Sequence, residues 1–245
     1  MKKTALITGA SSEVGSSISK ILASNNINII IHYNTNYESA SKLEKEIKEK
    51  YNIETLLIKA DLTKEEEIDK LLEESIKKFK KIDILINNAA LDKPCLFSEK
   101  TSDNFKEILD VNLIAPFLIS KKIGQLMVEN KYGKIINIAS TNGIDTYYPM
   151  CLDYDASKAA LISLTHNLAL EFKPYVNVNA IAPGSLKTEK DMKDLDSDYI
   201  RSEEEKIFKE RFGRVEEIAY LVEFLISEKA DYINNQVIRI DGGMY

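Results

Sequence analysis

Short runs of apolar, largely β-branched residues alternate along the chain with longer charged segments of helical periodicity. Several runs lack polar alternation, as in Ile29–Ile31 and Ile82–Ile86, and this pattern is typical of strands buried on both faces. Repeated strand–helix units build a parallel sheet that helices cover on both sides. The seven runs therefore predict an α/β protein with a doubly wound, seven-stranded parallel sheet.

The predicted elements follow one another without a linker, so residues 1–245 are expected to form a single domain. The predicted strands are Thr4–Thr8, Ile27–Tyr33, Thr55–Lys59, Ile82–Asn87, Lys134–Ala139, Val176–Ala182 and Gln236–Ile240. The predicted helices are Val14–Ser24, Glu38–Lys50, Lys64–Phe79, Ser102–Glu129, Asp155–Phe172 and Val215–Ser227. Ligands bind such sheets beyond the carboxyl ends of the strands, which is where polar motifs are sought below.

Charge and composition argue against several classes of protein. Lys and Arg number 33 against 39 Asp and Glu, and no long basic stretch occurs, so no nucleic-acid partner is expected. Cys95, Cys151, His32 and His166 lack metal-ligand spacing, so neither a metal nor a disulfide is expected. No apolar run approaches a membrane span or a signal peptide in length, which predicts a cytoplasmic protein without a membrane partner.

The first predicted strand leads into a turn that contains Gly9, Ser11, Ser12, Val14 and Gly15, and a helix follows. Small residues let backbone N–H groups reach a pyrophosphate, and the helix N-terminus adds partial positive charge. Two glycines also occur in many ordinary turns, so this feature alone leaves both readings open. Its position after the first strand of an α/β chain favours a dinucleotide site.

The end of the second predicted strand bears on the choice of cofactor. Proteins that bind NAD commonly place an acid about 20 residues after the glycine turn, where it holds the ribose hydroxyls. Here Asn34 stands at that strand end, and no acid occurs before Glu38. No Arg or Lys stands there either, so a 2′-phosphate would meet neutral donors. We predict NADP as the preferred cofactor, with NAD as the alternative.

Tyr154 and Lys158 are four residues apart, which places them on one face of a helix. A nearby cation lowers the pKa of a phenol and suits it to acid/base work on an alcohol or carbonyl. With 12 tyrosines in a lysine-rich chain, about one such pair arises by chance, so the pair alone decides nothing. Ser140 follows a predicted strand, where a hydroxyl can donate to a substrate oxygen or simply cap the strand.

These features combine with several others in a fixed order. In chain order they are Thr8, Gly9 and Gly15; Asp61; Asn87, Asn88, Ala89 and Ala90; Val111 and Asn112; Ser140; Tyr154 and Lys158; Pro183, Gly184 and Thr188; and the ending Gln236–Gly243. Each is modest alone, but the whole set resembles the short-chain dehydrogenase/reductase family in its single-domain branch. The resemblance implies a Rossmann-type fold and hydride transfer between a nicotinamide cofactor and a small carbonyl or alcohol substrate.

The resemblance also implies roles for individual residues. Tyr154 is expected to be the general acid/base, Lys158 to lower its pKa and hold the nicotinamide ribose, and Ser140 to orient the reacting oxygen. Asn112 is expected to stabilise an irregular helix near Pro116 and to hold a water of the proton relay. Further cofactor contacts are expected from Asp61 at the adenine, Asn88 and Ala89 at its ribose, Thr188 at the carboxamide or phosphates, and Leu62, Ala90, Pro183, Gly184 and Leu186.

The chain departs from the family pattern at several places. Glycine is usual at the positions of Glu13 and Ala90. Because a carboxylate repels a pyrophosphate, Glu13 is expected to point outward. The interval from Ser140 to Tyr154 is about one residue longer than usual, in a stretch that borders the substrate.

The charged segment 185–212 is expected to form a lid over the substrate, with Met192, Leu195, Tyr199 and Ile200 interspersed. A solvated helical face is the alternative interpretation of such a charge run. The residues considered for the substrate pocket are Leu91, Lys93, Asn142, Tyr147, Tyr148, Met150 and Cys151. They are neither strongly apolar nor strongly charged, so they do not indicate a particular substrate.

The leading hypothesis is a ketone reductase or alcohol dehydrogenase. Relatives that reduce 3-oxoacyl groups on acyl carrier protein use basic surface residues, for which Lys131 is one candidate, but Leu170 occupies the other expected position. Sugar dehydrogenases fit comparably. The alternative from another class is a cofactor-binding sensor without turnover, which Glu13 favours. The family resemblance also implies a homotetramer through helices of the 102–129 and 155–172 regions and the C-terminal strand.

Overall fold

The computed structural model describes residues 2–189, 193 and 196–244, and its strands form one sheet. The strands are β1 (Thr4–Ile7), β2 (Asn28–Tyr33), β3 (Thr55–Lys59), β4 (Ile84–Asn87), β5 (Gly133–Ile138), β6 (Val176–Pro183) and β7 (Val237–Ile240). They lie in the order β3-β2-β1-β4-β5-β6-β7, and all neighbours are parallel. The prediction of a seven-stranded, doubly wound parallel sheet is confirmed.

Helices connect the strands. They are α1 (Glu13–Ser24), α2 (Tyr37–Lys50), α3 (Glu65–Phe79), α4 (Ser102–Leu109), α5 (Ala115–Glu129), α6 (Leu152–Glu171), α7 (Ser197–Glu204) and α8 (Val215–Ile226). The helix α6 begins at Leu152, three residues before the predicted start, so Tyr154 lies in its first turn. In the predicted lid, α7 carries Tyr199 and Ile200, whereas Met192 and Leu195 lie outside the described residues.

Alternate residues of each strand pack on opposite faces of the sheet, which creates two apolar cores. Ile7, Ile29 and Ile31 face one core, and Leu6 and Ile30 face the other. The first core is completed by α1, α2 and α8, and the second by α3, α5 and α6. The strands β1, β2, β4 and β5 are buried along their whole length, which explains why their sequences lack polar alternation.

The helix predicted over Ser102–Glu129 contains a π turn at Asp110–Ile114, between α4 and α5. By length and composition this continuous stretch is apolar enough to cross a membrane, contrary to the expectation that no such stretch exists. Ile108, Ile119, Ile123 and Met127 are fully buried within the protein, so these four side chains belong to the core.

The strand order reverses direction between β1 and β4, the first strands of the two halves of the sheet. In open α/β sheets the loops diverge at such a switch point and leave a crevice beyond the carboxyl ends. Gly9 follows β1, Asn88 follows β4, and Ser140 follows β5 at this edge. The topology therefore brings together motifs that are far apart in the sequence.

Candidate active site

A cleft of about 1080 Å³ opens at the carboxyl edge of the sheet. The predicted cofactor residues that line it are Gly9, Ser11, Ser12, Val14, Asn34, Asp61, Leu62, Asn88, Ala89, Ala90, Tyr154, Lys158, Pro183, Gly184, Leu186 and Thr188. Of the predicted catalytic residues, Ser140, Tyr154 and Lys158 line it. The cleft therefore runs from the end of β2 to the start of α6.

Close packing shapes the loop between β1 and α1. Gly9 has a φ of +62°, and a Cβ there would lie 2.9 Å from the Cα of Ala89. Gly15 does not line the cleft, and a Cβ there would lie 2.4 Å from the carbonyl oxygen of Gly9. The two glycines let the loop fold tightly against the β4 end, which leaves backbone N–H groups and the α1 N-terminus facing the cleft.

Hydrogen bonds across the switch point fix this loop against the end of β4. The Thr8 hydroxyl accepts from the backbone N–H groups of Asn88 and Ala89, each at 3.0 Å. The Asn88 side chain donates to the carbonyl oxygens of Thr8 at 2.9 Å and Gly9 at 3.0 Å. Asn88 therefore holds the loop in place and also lines the cleft.

His32 also supports the loop, a role that the sequence analysis missed. Its Nδ1 accepts from the backbone N–H of Gly9 at 3.0 Å, and its Nε2 lies 3.0 Å from the carbonyl oxygen of Ala60. The neutral ring with its proton on Nε2 satisfies both contacts. Burial lowers the pKa of His32 to about 4, against the raising effect of the Ala60 carbonyl. A single buried histidine carries no sequence pattern that would have revealed this.

The end of the cleft beside β2 is polar and carries no acid on that strand end. Asn34, Thr35 and Asn36 line it, and Asn36 also caps α2 by accepting from the Ser39 backbone at 3.0 Å. Asp61, after β3, accepts from the Thr63 backbone and hydroxyl at 3.1 and 2.8 Å. The β2 end therefore presents neutral donors and acceptors where a cofactor ribose is expected, and the nearby carboxylate of Asp61 follows β3 instead.

Tyr154 and Lys158 lie one turn apart on α6, beside Ser140 at the end of β5. The Lys158 ammonium donates to the Ile138 carbonyl oxygen at 2.7 Å and lies 5.4 Å from the centre of the Tyr154 ring. The Ser140 hydroxyl donates to Asn142 Oδ1 at 3.1 Å. The site therefore presents two hydroxyl groups and one buried cation.

The pKa of Tyr154 differs from the sequence-based expectation. Burial raises it above the usual value for a phenol, the Asp92 carboxylate adds to the rise, and hydrogen bonding with Ser140 opposes it. Burial also lowers the pKa of Lys158 to about 8. Desolvation is the largest cause of both pKa shifts, so the lowered pKa that was expected for Tyr154 is not found.

Asn112 lies behind the cleft, within the π turn, and is fully buried. Its side chain accepts from the Leu91 backbone N–H at 2.7 Å and donates to the Leu91 carbonyl at 2.9 Å. It also donates to the Ser157 hydroxyl at 3.0 Å, and that hydroxyl donates to the Tyr154 carbonyl at 2.7 Å. The irregularity predicted for this helix is present as the π turn. Asn112 connects the loop after β4 to α6, which carries Tyr154.

A second cavity of about 820 Å³ shares Ser140, Tyr154 and part of the glycine loop with the main cleft. We call it the substrate cavity, because it contains three of the residues considered for the substrate pocket. Among the residues considered for the substrate pocket, it contains Asn142, Tyr148 and Cys151. Leu91 lines the main cleft instead, Lys93 pairs with Glu107 at 2.5 Å, and Tyr147 and Met150 are exposed at the surface. The sequence analysis missed Asp92, which also lines this cavity.

A buried ion pair lies at the start of α6. The Lys100 ammonium lies 2.7 Å from an Asp153 carboxylate oxygen, and the two side chains are 6% and 0% exposed. Lys100 also donates to the Lys93 carbonyl at 2.8 Å. The pair joins the loop after β4 to the first turn of α6, next to Tyr154.

Glu13 does not point outward as expected. Its two carboxylate oxygens accept from the Glu189 backbone N–H at 2.9 and 3.0 Å. Glu13 is the first residue of α1, and Glu189 lies in the predicted lid segment. The carboxylate therefore ties the base of that segment to the glycine loop.

Comparison with known proteins agrees with this architecture. The family model for short chain dehydrogenases matches residues 3–198. The 3-oxoacyl-(acyl-carrier-protein) reductase FabG of Aquifex aeolicus is 37% identical over 99% of this chain and 97% of its own length. A Serratia marcescens short-chain dehydrogenase/reductase mutant superimposes with a TM-score of 0.91 at 28% identity, covering 98% of this chain and 97% of its own. Acetoin dehydrogenase YohF of Salmonella typhimurium superimposes with a TM-score of 0.87 at 29% identity, covering 99% and 97%.

The fold and the site are those of a nicotinamide-dependent oxidoreductase that acts on alcohol or ketone groups. The chain belongs to the short-chain dehydrogenase/reductase family. It resembles the 3-oxoacyl reductases of that family over its full length.

The lowered pKa of His32 makes the folded state sensitive to acid. The unfolded chain takes up a proton on this ring near pH 6.5, whereas the folded protein resists it until about pH 4. Stability is therefore lost as the pH falls through this window. Relative to His32→Gln, which keeps a donor and an acceptor, the wild type should lose about 1–2 kcal/mol of unfolding free energy between pH 6.5 and 5.

Urea unfolding at several pH values measures this difference. The exposed His166 provides the matched control, because His166→Gln should retain the wild-type slope. Equal slopes for the wild type and His32→Gln would contradict the assigned role of the buried ring.

Proposed function

We propose that the protein reduces a ketone of a small molecule to a secondary alcohol, with NADPH as the hydride donor and Tyr154 as the proton donor. The observation that carries this proposal is that Ser140 and Tyr154 line both the main cleft and the substrate cavity. A carbonyl group in the substrate cavity can therefore meet both hydroxyl groups next to the cofactor end of the cleft. A sensor without turnover has no comparable support in this geometry.

The residues at the switch point fit a dinucleotide. A Cβ at Gly9 or Gly15 would clash with the backbone of the adjoining loops, so the cradle is open only because these side chains are missing. The N-terminus of α1 and the hydroxyl groups of Ser11 and Ser12 supply donors for a pyrophosphate. When bound, the nicotinamide supplies the hydride to the carbonyl carbon.

The protein's own residues provide the other parts of the reaction. The Ser140 hydroxyl is placed to donate to the carbonyl oxygen and to stabilise the charge that develops there. The Tyr154 phenol transfers its proton to that oxygen, which completes the alcohol. The Lys158 ammonium favours the phenolate left behind and is positioned to hold a ribose hydroxyl. Asn112 acts as a positioning residue through its contacts with Leu91 and Ser157.

Two relatives suggest substrate classes for this site. The Aquifex aeolicus relative is named for 3-oxoacyl groups on acyl carrier protein, and the Salmonella typhimurium neighbour is named for acetoin, a small hydroxyketone. Both classes present a ketone to be reduced, as the proposal requires. Lys131 is exposed, as contact with an acidic carrier protein requires. At the second position where a basic residue is expected, the chain has the exposed apolar residue Leu170.

The proposal includes a cytoplasmic location and a homotetramer. Both cysteines are free thiols, as is typical of a reducing compartment. Apolar side chains are exposed at Ile114 and Phe117 next to and on α5, and at Leu170 on α6. Exposed apolar groups on these helices are suited to burial between subunits.

Replacement of Tyr154 by phenylalanine tests the mechanism. The variant should lose about 10²- to 10⁴-fold in kcat for ketone reduction, because the proton donor is gone while the ring remains. NADPH binding, measured by fluorescence titration, should change little. The fully exposed Tyr232 offers the control Tyr232→Phe, which should keep wild-type activity. Near wild-type turnover in Tyr154→Phe would refute the mechanism.

Cofactor preference follows from the neutral end of β2. The wild type should bind NADPH more tightly than NADH, because no carboxylate opposes the 2′-phosphate at Asn34. Asn34→Asp should weaken NADPH binding by about tenfold or more and affect NADH much less. The exposed Asn52 gives the charge-matched control Asn52→Asp. A wild type that binds NADH more tightly would show that the cofactor proposal is wrong.

Light scattering after gel filtration tests the oligomer. The wild type should have four times the chain mass of 27.8 kDa. Phe117→Glu should shift the protein to smaller species, because it places a charge in the proposed interface. Tyr37→Glu, at an exposed aromatic residue on α2, should leave the mass unchanged. A monomeric wild type would exclude the tetramer.

A further inference from the structure

The substrate cavity carries a carboxylate that the reaction itself does not use. Asp92 follows β4 and lines this cavity together with Ser140 and Tyr154. Its Oδ2 accepts a weak hydrogen bond from the Cys151 thiol at 3.7 Å. Cys151 precedes Tyr154 by three residues, which is about one helical turn. The Asp92 carboxylate therefore contacts the chain about one turn before the residue that carries the phenol.

The neighbouring carboxylates are already partnered. Asp153 forms its buried pair with Lys100, and Asp155 accepts from the Asn142 side chain at 2.7 Å and the Tyr148 backbone at 3.1 Å.

Asp92 differs from these neighbours in its unused acceptor capacity. Within the part of the chain that the structure describes, the Cys151 thiol is its one hydrogen-bond donor, and no cation lies within salt-bridge distance. A carboxylate has about four acceptor positions. Most of the capacity of Asp92 is therefore available to a molecule in the cavity.

The charges around the cavity restrict what this molecule can be. The Asp92 carboxylate opposes an anionic group beside the reacting carbonyl. Glu13 and Glu189 also line this cavity and add to that repulsion. A cationic group beside the reacting carbonyl would lie near the Lys158 ammonium, which is 5.4 Å from the Tyr154 ring. A neutral donor avoids both penalties, and a hydroxyl group is the simplest one that a ketone can carry next to its carbonyl.

We propose that Asp92 determines substrate specificity by accepting a hydrogen bond from a hydroxyl group on the first or second carbon beyond the carbonyl carbon. The substrate class is then a small neutral hydroxyketone. This inference rests on the proposed function, because it assigns a substrate feature to the same site.

Asp92 is an exposed side chain, so its discrimination comes from one charge-assisted hydrogen bond that an analogue without the hydroxyl cannot form. The wild type should therefore favour hydroxyacetone over butan-2-one, in which a methyl group replaces the hydroxyl. The ratio of the two kcat/KM values should fall by about 10- to 100-fold in Asp92→Ala, as expected for loss of a hydrogen bond to a charged group. Asp92→Asn keeps one acceptor and should give an intermediate ratio.

The ratio separates recognition from a general structural effect. A variant that merely disturbs the cavity would lower both kcat/KM values together, whereas loss of recognition should leave butan-2-one within about threefold of wild type. Glu99→Gln removes an exposed carboxylate from the same loop and should keep the wild-type ratio. An unchanged ratio in Asp92→Ala, or a wild type that prefers 1-aminopropan-2-one or butan-2-one, would overturn the proposal.

A binding measurement distinguishes failure of this inference from failure of the proposed function. Ligand-observed NMR on the NADPH complex of Tyr154→Phe should detect propane-1,2-diol and lose that signal when Asp92→Ala is added. Diol binding that depends on Asp92, in a protein that reduces no ketone, would refute the proposed function and support this inference. Ketone reduction with diol binding indifferent to Asp92 would support the function and refute the inference.

Discussion

The hydrogen bonds between Thr8 and the Asn88–Ala89 backbone hold together the two loops that diverge at the switch point of the sheet. Parallel strands open a crevice there, and without a cross-link the loops would be free to move apart. The threonine hydroxyl joins β1 to β4, the His32 ring joins the same loop to β2 and the residue after β3, and glycine at position 15 allows α1 to approach closely. The shape of the cofactor cleft follows from this set of contacts.

The fold could be predicted because its central strands are buried on both faces and its helices are not. The glycine loop, Ser140 and the Tyr154–Lys158 pair could also be found, since each occupies the end or the start of an element. His32 and the Lys100–Asp153 pair could not, because a lone buried histidine and two residues 53 positions apart leave no local pattern. The π turn was predicted only as an irregularity, since its extra residue shows no periodic signal over five positions.

Burial dominates the electrostatics of the active site. Attraction between a phenolate and an ammonium was expected to lower the pKa of Tyr154. Instead, the pKa of Tyr154 is raised above its usual value, and the pKa of Lys158 is lowered to about 8. Removing two ionisable groups from water penalises both charged forms, and a separation of 5.4 Å between cation and ring does not offset this.

The tie between Glu13 and Glu189 is formed by a side chain at one end and by the main chain at the other. Every residue except proline offers a backbone N–H at position 189, whereas at position 13 the contact needs an acceptor of the right length. The two positions therefore differ in their tolerance of mutation. Any residue except proline at position 189 keeps the tie, whereas loss of the acceptor at position 13 releases residue 189 from the glycine loop.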